Sequence, residues 1–435
     1  MSHSSRLLTV AALAALAVPF TVPASLDAQQ PDYNRRGIQV GQHENLTLSL
    51  GIHSIGRVQM LSQEDVHVWD GSSFREQTTK LGSGMHTSFA NLEFMITIGE
   101  DIDVFFDGLL ATQRHPTLWW GHQGYMYVRQ MPEGSPLDFL NPLFEYVDVK
   151  AGNFYVNFGE HQFTRTLNAD AHRNPLVGNP VVSPVGTEPG MEFYVEREGV
   201  GVMVGGGIGA PEHDFQEARK WSYRGKVWVD AIEGLYLSGS YYNVSHDPGI
   251  RRGSNLYRRE RLGSSYASVW NRNNDNGGDG EGPGQVRPGD GRELAAWELN
   301  AIATLFPGNR LAAFVGGAEA SGPNPALPGA DKGDEEWVNY AVEATQYLAD
   351  SPVYLSGRYS AIDYSKFITD DNDGKVSRIQ IGGGLWVTDN ILMKAEYVYQ
   401  SASGFLPETV GVANWVDVGR DPVFKGLILE VGVSF

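Results

Sequence analysis

Apolar and polar positions alternate along most of this chain. "LTLSLGIHS" sets Leu46, Leu48, Leu50 and Ile52 on one side, and "ANLEFMITI" does the same with Ala90, Leu92, Phe94, Ile96 and Ile98. Successive side chains of a strand point to opposite faces, so a period of two predicts strands with one apolar face. The pattern returns in "DIDVFFDGLL", "GYMYVRQ", "YVDVKAG", "MEFYVE", "GVGVMVGG", "GKVWVDA", "LYLSGSYY" and "AAWELNAIATLF". It continues through "LAAFVGG", "EWVNYAVEATQY", "VYLSGRYS", "SRIQIGGGLWV", "ILMKAEYVY" and "GLILEVGVSF", sixteen segments in all. In the last of them Leu427, Leu429, Val431 and Val433 alternate with Ile428, Glu430, Gly432 and Ser434, and the chain ends on Phe435.

The connections alternate too. Short turns rich in Gly, Asn, Asp and Pro ("GED", "EREG", "IEG", "PGN", "ADSP", "TDN") join every second pair of strands. Strands four and five are joined by a longer piece, "MPEGSPLDFLNP". The other connections are mostly longer and polar: 61–86, 114–121, 157–190, 209–221, 246–294, 320–334, 365–375 and 401–423. An even number of antiparallel strands with short turns at one rim and long loops at the other is the layout of an outer-membrane barrel. In lipid every backbone group needs an internal partner, so such a sheet closes. The expected fold is therefore all-β. It is a transmembrane antiparallel β-barrel of about 16 strands over residues 46–435, with short periplasmic turns and long extracellular loops. Trp228, Tyr397, Tyr399 and Phe435 lie near strand ends and are expected in the interfacial girdle of aromatics.

Composition changes this picture little. Mean hydropathy is −0.28, which a barrel explains because half of every strand is polar. Lys plus Arg is 33 against 52 Asp plus Glu, a net charge of −19, which argues against nucleic acid as a partner. The absence of cysteine excludes disulfides, thiolate-bound zinc and thiol catalysis. At the start, Arg6, the apolar run "LLTVAALAALAVPF" and the small residues of "TVPASLDAQQ" read as a secretory signal peptide. It spans 1–28, with cleavage after Ala28 and Ala24 as the second choice. Residues 29–45 would then be a short periplasmic segment before the barrel.

With its signal peptide, alternating loop lengths and terminal strand closing on Phe435, the chain resembles the outer-membrane porins of Gram-negative bacteria. That resemblance implies an outer-membrane location and contact with outer-membrane lipid and lipopolysaccharide. It makes Leu427, Leu429, Val431, Val433 and Phe435 the signal read by the barrel-assembly machinery. It leaves a homotrimer open as the assembled state. The stretch "VDVKAGNFYVNFGEHQ" (Val147–Gln162) looks like the strand ahead of the pore-constricting loop in phosphate-selective porins.

The 157–190 connection carries Pro175, Pro180, Pro184 and Pro189 together with Glu160, His161, Arg165, Asp170, His172 and Arg173. Prolines at that spacing block regular strand pairing, so this segment cannot extend the wall. Irregular backbone is tolerated at membrane depth where it lines a cavity, so the segment is expected to fold inward and narrow the lumen. Inward positions carry Arg57, Arg129, Lys150, Arg224, Lys226, Arg310, Arg358, Arg378 and Lys394. The same faces carry Glu93, Asp103, Asp107, Asp148, Glu192, Glu196, Asp230, Glu298, Glu343, Glu396 and Glu430. A phosphate-selective pore needs an array of cations. Near-balanced charge instead suggests passive diffusion of small hydrophilic solutes with mild or no ion preference. A phosphate- or anion-selective pore, and a blocked barrel serving as a surface adhesin or structural anchor, are the alternatives.

Other motifs carry less. "TDDNDGKVS" places Asp371, Asp373 and Gly374 at calcium-loop positions, but Thr369 and Gln380 stand where two strong ligands belong, so an acidic hairpin tip is the better reading. Arg251, Arg252, Arg258, Arg259 and Arg261 form a positive cluster on the longest loop, suited to steering anions or meeting anionic head groups, or equally a solvated cluster neutralised by nearby Asp and Glu. "GSS" at 71–73 and 263–265 lacks the frame of a nucleophile elbow, and no His pairs with Glu in a zinc-protease pattern, so neither an enzyme nor a cofactor is expected.

Overall fold

The computed structural model describes residues 37–435 apart from 44, 65–66, 70–73, 77–83, 100, 112–119, 167–168, 183, 210–220, 246–253, 258–265, 267–285, 287, 290–291, 323–333, 368–372 and 405–420. The signal-peptide region, the Arg251–Arg261 cluster and Asp371 lie outside the described residues. All sixteen alternating segments are strands. In chain order the strands are β1 (Ile38–His43), β2 (Leu46–Glu64), β3 (His67–Trp69), β4 (Phe74–Glu76), β5 (Gly84–Ile98), β6 (Ile102–Ala111), β7 (Trp120–Val128), β8 (Asp148–Tyr155) and β9 (Thr187–Arg197). They continue as β10 (Val200–Gly207), β11 (Ser222–Ile232), β12 (Leu235–Val244), β13 (Glu293–Ala303), β14 (Asn309–Ser321) and β15 (Glu335–Tyr347). The last four are β16 (Val353–Phe367), β17 (Lys375–Thr388), β18 (Ile391–Ser403) and β19 (Val423–Ser434).

Strands β2 and β5 to β19 pair antiparallel with their sequence neighbours, and β19 pairs back onto β2 from Val423↔Glu64 to Ser434↔His53. The result is a closed sixteen-stranded transmembrane barrel. β3 and β4 form a small hairpin in the β2–β5 connection. Tight turns line one rim. Between β9 and β10 the turn is Glu198–Gly199, both at positive φ (52° and 74°), the two-residue hairpin geometry that matches strand twist.

Burial alternates as a lipid-facing barrel requires. On β19, Leu427, Leu429 and Val431 are exposed while Ile428, Glu430 and Ser434 are buried; Val433 is half-buried and Phe435 exposed. Tyr397 and Tyr399 also face outward. Trp228 does not: it is 6% exposed and packs inside with Phe105, Tyr125, Tyr127 and Tyr194. It shares parity with the inward Arg224 and Lys226, and its ring lies across the inner side of Gly201 on β10, where any Cβ would meet the indole.

Several boundaries differ from the alternation in sequence. β2 runs to Glu64 and β9 begins at Thr187, so the flanking connections are shorter than 61–86 and 157–190. Ahead of the first alternating segment, β1 pairs with Leu46–Leu50 of β2. It takes up the β2 edge just past Phe435, whose backbone exchanges hydrogen bonds with Ile52 (2.9 and 3.1 Å).

Candidate functional site

The site is the barrel interior. Because inward positions recur at every second residue on neighbouring strands, charged side chains meet between strands in a belt on the inner wall. Glu430 of β19 is held by Arg57 of β2 (2.5 Å) and Lys394 of β18 (2.7 Å). Glu343 of β15 takes Arg310 (2.8 Å) and the Nε of Arg358 (2.8 Å). Arg224 of β11 pairs with Glu192 (2.6 Å) and Glu188 (3.2 Å) of β9. Lys150 of β8 lies over the rings of Tyr125 (4.2 Å) and Phe154 (4.7 Å). Glu93, Asp103 and Asp107 are buried on β5 and β6, the last accepting from Gln123. Nearer the short-turn rim the groups open out: Arg129 (33% exposed) meets Asp103 at 2.8 Å, Asp148 accepts from Tyr127 at 2.8 Å, and Asp230 and Glu196 are half-buried.

The described residues of 156–186, between β8 and β9, cross this interior. Their backbone cannot pair as a strand, so the belt supplies its partners. Lys394 Nζ donates to the carbonyls of Ala171 (2.9 Å), Asn174 (3.2 Å) and Leu176 (2.9 Å). Glu396 accepts from the backbone N–H of Val177 (2.8 Å) and Gly178 (2.9 Å). Arg358 donates to the Gly178 carbonyl (2.7 Å) and Asn174 Oδ1 (2.8 Å), and Arg378 to the Asn179 carbonyl and Gln400 (2.6 Å). On the other side Lys226 holds Glu160 (2.6 Å) and the Gly159 carbonyl (2.9 Å), and Tyr236 donates to Glu160 (2.6 Å).

Within the segment, Arg165 donates to the Pro184 carbonyl (3.2 Å), and Asp170 pairs with Arg173 (2.6 Å) and accepts from the His172 N–H (3.2 Å). Burial raises the Asp170 carboxyl, but His53 and Arg173 outweigh it and hold the group below its usual range. Burial, with Arg358, Arg165 and Arg310 nearby, lowers the His161 imidazole well below its ordinary value, so it is neutral at pH 7. The His172 ring packs against Trp386 (5.0 Å). His53 hydrogen-bonds Ser434 across the β2–β19 seam, with Glu93 at 3.5 Å. Ser434 is fully buried, so this serine, histidine and carboxylate tie the seam together and offer no nucleophile to solvent.

Toward the long-loop rim the inner face changes character. Leu294 and Ala296 of β13, Trp337 of β15, Ile362 and Tyr364 of β16, Val398 of β18 and Phe424 of β19 are inward and buried. They join one cluster with Val177, Val181 and Val182 of the crossing segment and with Leu256, Tyr257, Tyr266 and Val286 of the β12–β13 connection. Tyr266 also donates to Glu396 (2.5 Å) and lies under Arg378 (4.8 Å), linking both connections to the belt.

The charged residues named from sequence for the lumen and for the 157–190 connection thus fall on the inner face or in the crossing segment. Asp373 is exposed at a strand end, and among the described residues no group of three or more His, Asp or Glu is placed to hold a metal. Sequence reasoning missed Glu188, fully buried and held by Ser222 (2.6 Å), Arg224 and Tyr242. It shares parity with Glu192, but Pro189 between them masked the start of β9. Tyr266, isolated in a glycine- and asparagine-rich stretch, had no signal.

No protein-family model and no curated protein sequence matches the chain. Solved structures do. Salmonella typhi OmpF superposes over 90% of this chain and 98% of its own at 12% identity, TM-score 0.54. The outer membrane channel DcaP of Acinetobacter baumannii covers 90% and 98% at 10% identity, TM-score 0.52. The chain has the porin fold. The anion-selective porin from Comamonas acidovorans matches as well, over 90% of this chain and all of its own, at 11% identity and TM-score 0.50. At such identities the likeness is one of architecture.

Proposed function

We propose that this chain is an outer-membrane porin, a passive diffusion channel for small hydrophilic solutes with mild or no ion preference, and not an enzyme. The observation that carries the reading is the pairing of inner-wall charge: Arg57, Arg129, Arg224, Lys226, Arg310, Arg358 and Lys394 each meet a carboxylate within 3 Å. A cation already neutralised offers little to a passing phosphate, whereas alternating signs across a lumen orient polar solutes without capturing them. In this reading 156–186 is the constriction, and β19 with its outward Leu427, Leu429 and Val431 carries the assembly signal. Lipid and lipopolysaccharide surround the wall, and the short turns face the periplasm.

A second reading, a blocked barrel acting as a surface anchor, is favoured by the apolar cluster above the belt, which water would not readily fill. Planar-bilayer recording separates the two. Discrete channels with reversal potentials near zero in a potassium chloride gradient are expected. No channels from folded protein would support the anchor. Strong anion selectivity with phosphate block would overturn mild preference.

A further inference from the structure

The connection between β7 and β8 is the one exception to the tight turns of the short-turn rim. Instead of a few residues it spends 129–147 on a compact knot. A 3-10 turn at Asp138–Leu140 runs into a helical turn at Asn141–Phe144, with Pro142 at its start. Asn141 ties the knot, accepting from the Met131 N–H (2.8 Å) and donating to its carbonyl (3.0 Å), while Asp138 accepts from the Gly134 N–H (3.1 Å). A segment held this firmly still leaves Leu137 47%, Phe139 68%, Leu143 56% and Tyr146 53% exposed. Four large apolar groups on so short a stretch form an exposed patch, which marks an interaction surface.

Position identifies what the patch meets. On β6 and β7 the outward residues Val104 and Met126 are exposed, 38% and 42%, as lipid-facing residues are. One step closer to the rim the outward pair Ile102↔Val128 is covered, at 9% and 3%. The wall is thus covered on its lipid side where this connection leaves Val128. Tyr146 sits over Arg197 at 4.6 Å, at the end of β9, next to the outward and exposed Val195 and Val200. Through Tyr146 the connection therefore reaches the lipid-facing band. Between Gln130 and Val147 the charges are Glu133, Asp138 and Glu145, with no Lys or Arg. No cation of the connection itself draws it to anionic head groups, so such a surface enters a membrane by its apolar groups.

We propose that the 130–147 connection is a membrane-interface anchor, with Leu137, Phe139, Leu143 and Tyr146 seated in the headgroup layer of the leaflet bordering the short-turn rim. It fixes the depth and tilt of the barrel on the β6–β10 side. The chain has no cysteine, so single substitutions Phe139→Cys, Leu143→Cys and, as a polar control, Glu133→Cys can each carry one nitroxide label. Full-length protein is folded into phosphatidylcholine vesicles, with heat-modifiable mobility confirming the barrel. At 139 and 143 the label is expected to collide several-fold more with oxygen than with a water-soluble nickel chelate, and at 133 the order reverses. Nickel collision at 139 and 143 as high as at 133 overturns the proposal. So does low collision with both reagents, which places the patch against protein; dipolar broadening that grows with the protein-to-lipid ratio would then identify a second copy.

Discussion

The belt and the cluster above it are built on the same strands, yet they hold the crossing segment by different physics. On β18 the inward positions Lys394 and Glu396 give way to Val398 and Ala402 within four steps of the alternation, and on β16 Arg358 and Ser360 give way to Ile362 and Tyr364. The belt works by direction. The carbonyls of Ala171, Asn174, Leu176, Gly178 and Asn179 and the N–H groups of Val177 and Gly178 each meet a charged group aimed at them. The cluster works by exclusion, filling the space over the segment with Val177, Val181, Leu256 and Tyr257 against the wall. A directed contact fails when one atom is removed. An excluding contact degrades with volume.

The largest effect should come from the belt. Lys394→Met removes three carbonyl bonds and one of two cations on Glu430, and should weaken the docking of 156–186 by about 3 kcal/mol. Protease sensitivity of that segment, with an intact heat-modifiable barrel, reads it; unchanged resistance would mean that the belt is dispensable. In the cluster, Leu256→Ala leaves a cavity worth about 2–3 kcal/mol. It should loosen the β12–β13 connection and the crossing segment together, whereas Lys394→Met should loosen the crossing segment first. Equal patterns would erase the distinction. On the outer face, Leu429→Arg should cost about 2–4 kcal/mol by placing a charge at mid-bilayer. It should reduce heat-modifiable protein in the membrane far more than Glu430→Gln does. Equal losses would contradict the facing of β19.

The smallest effect is one of pH. His161 is held neutral, so the unfolded segment binds its proton first. Docking strength from this group is complete above the ordinary histidine value of about 6.5 and falls by at most about 1.4 kcal/mol for each pH unit below it. Comparing wild type with His161→Gln between pH 7 and 5 isolates it from His53 and His172. Parallel protease-sensitivity profiles would remove His161 from the account.

Strand count, facing and the inward charges were legible because a period of two repeats sixteen times and each error affects one strand alone. Phe435 and the outward Leu427 and Leu429 could be read for the same reason. The pairing of charges was not, since Lys394 and Glu430 are 36 residues apart and meet only through register. Trp228 was misread by treating an aromatic near a strand end as interfacial without checking its parity against Arg224 and Lys226. The apolar cluster escaped because its loop members, Leu256, Tyr257, Tyr266 and Val286, lie in a stretch with no periodicity. Prolines in the β8–β9 connection excluded a wall strand, but where its backbone finds partners depends on strands far apart in sequence, from β9 to β18.

In the proposed reading, residues 156–186 set what passes. Single-channel conductance of the wild type against a variant lacking 165–185, in the same bilayer and salt, tests it most directly. With both barrels heat-modifiable, the deletion should raise conductance several-fold. Equal conductances would show that the crossing segment does not govern the passage, and would contradict the account.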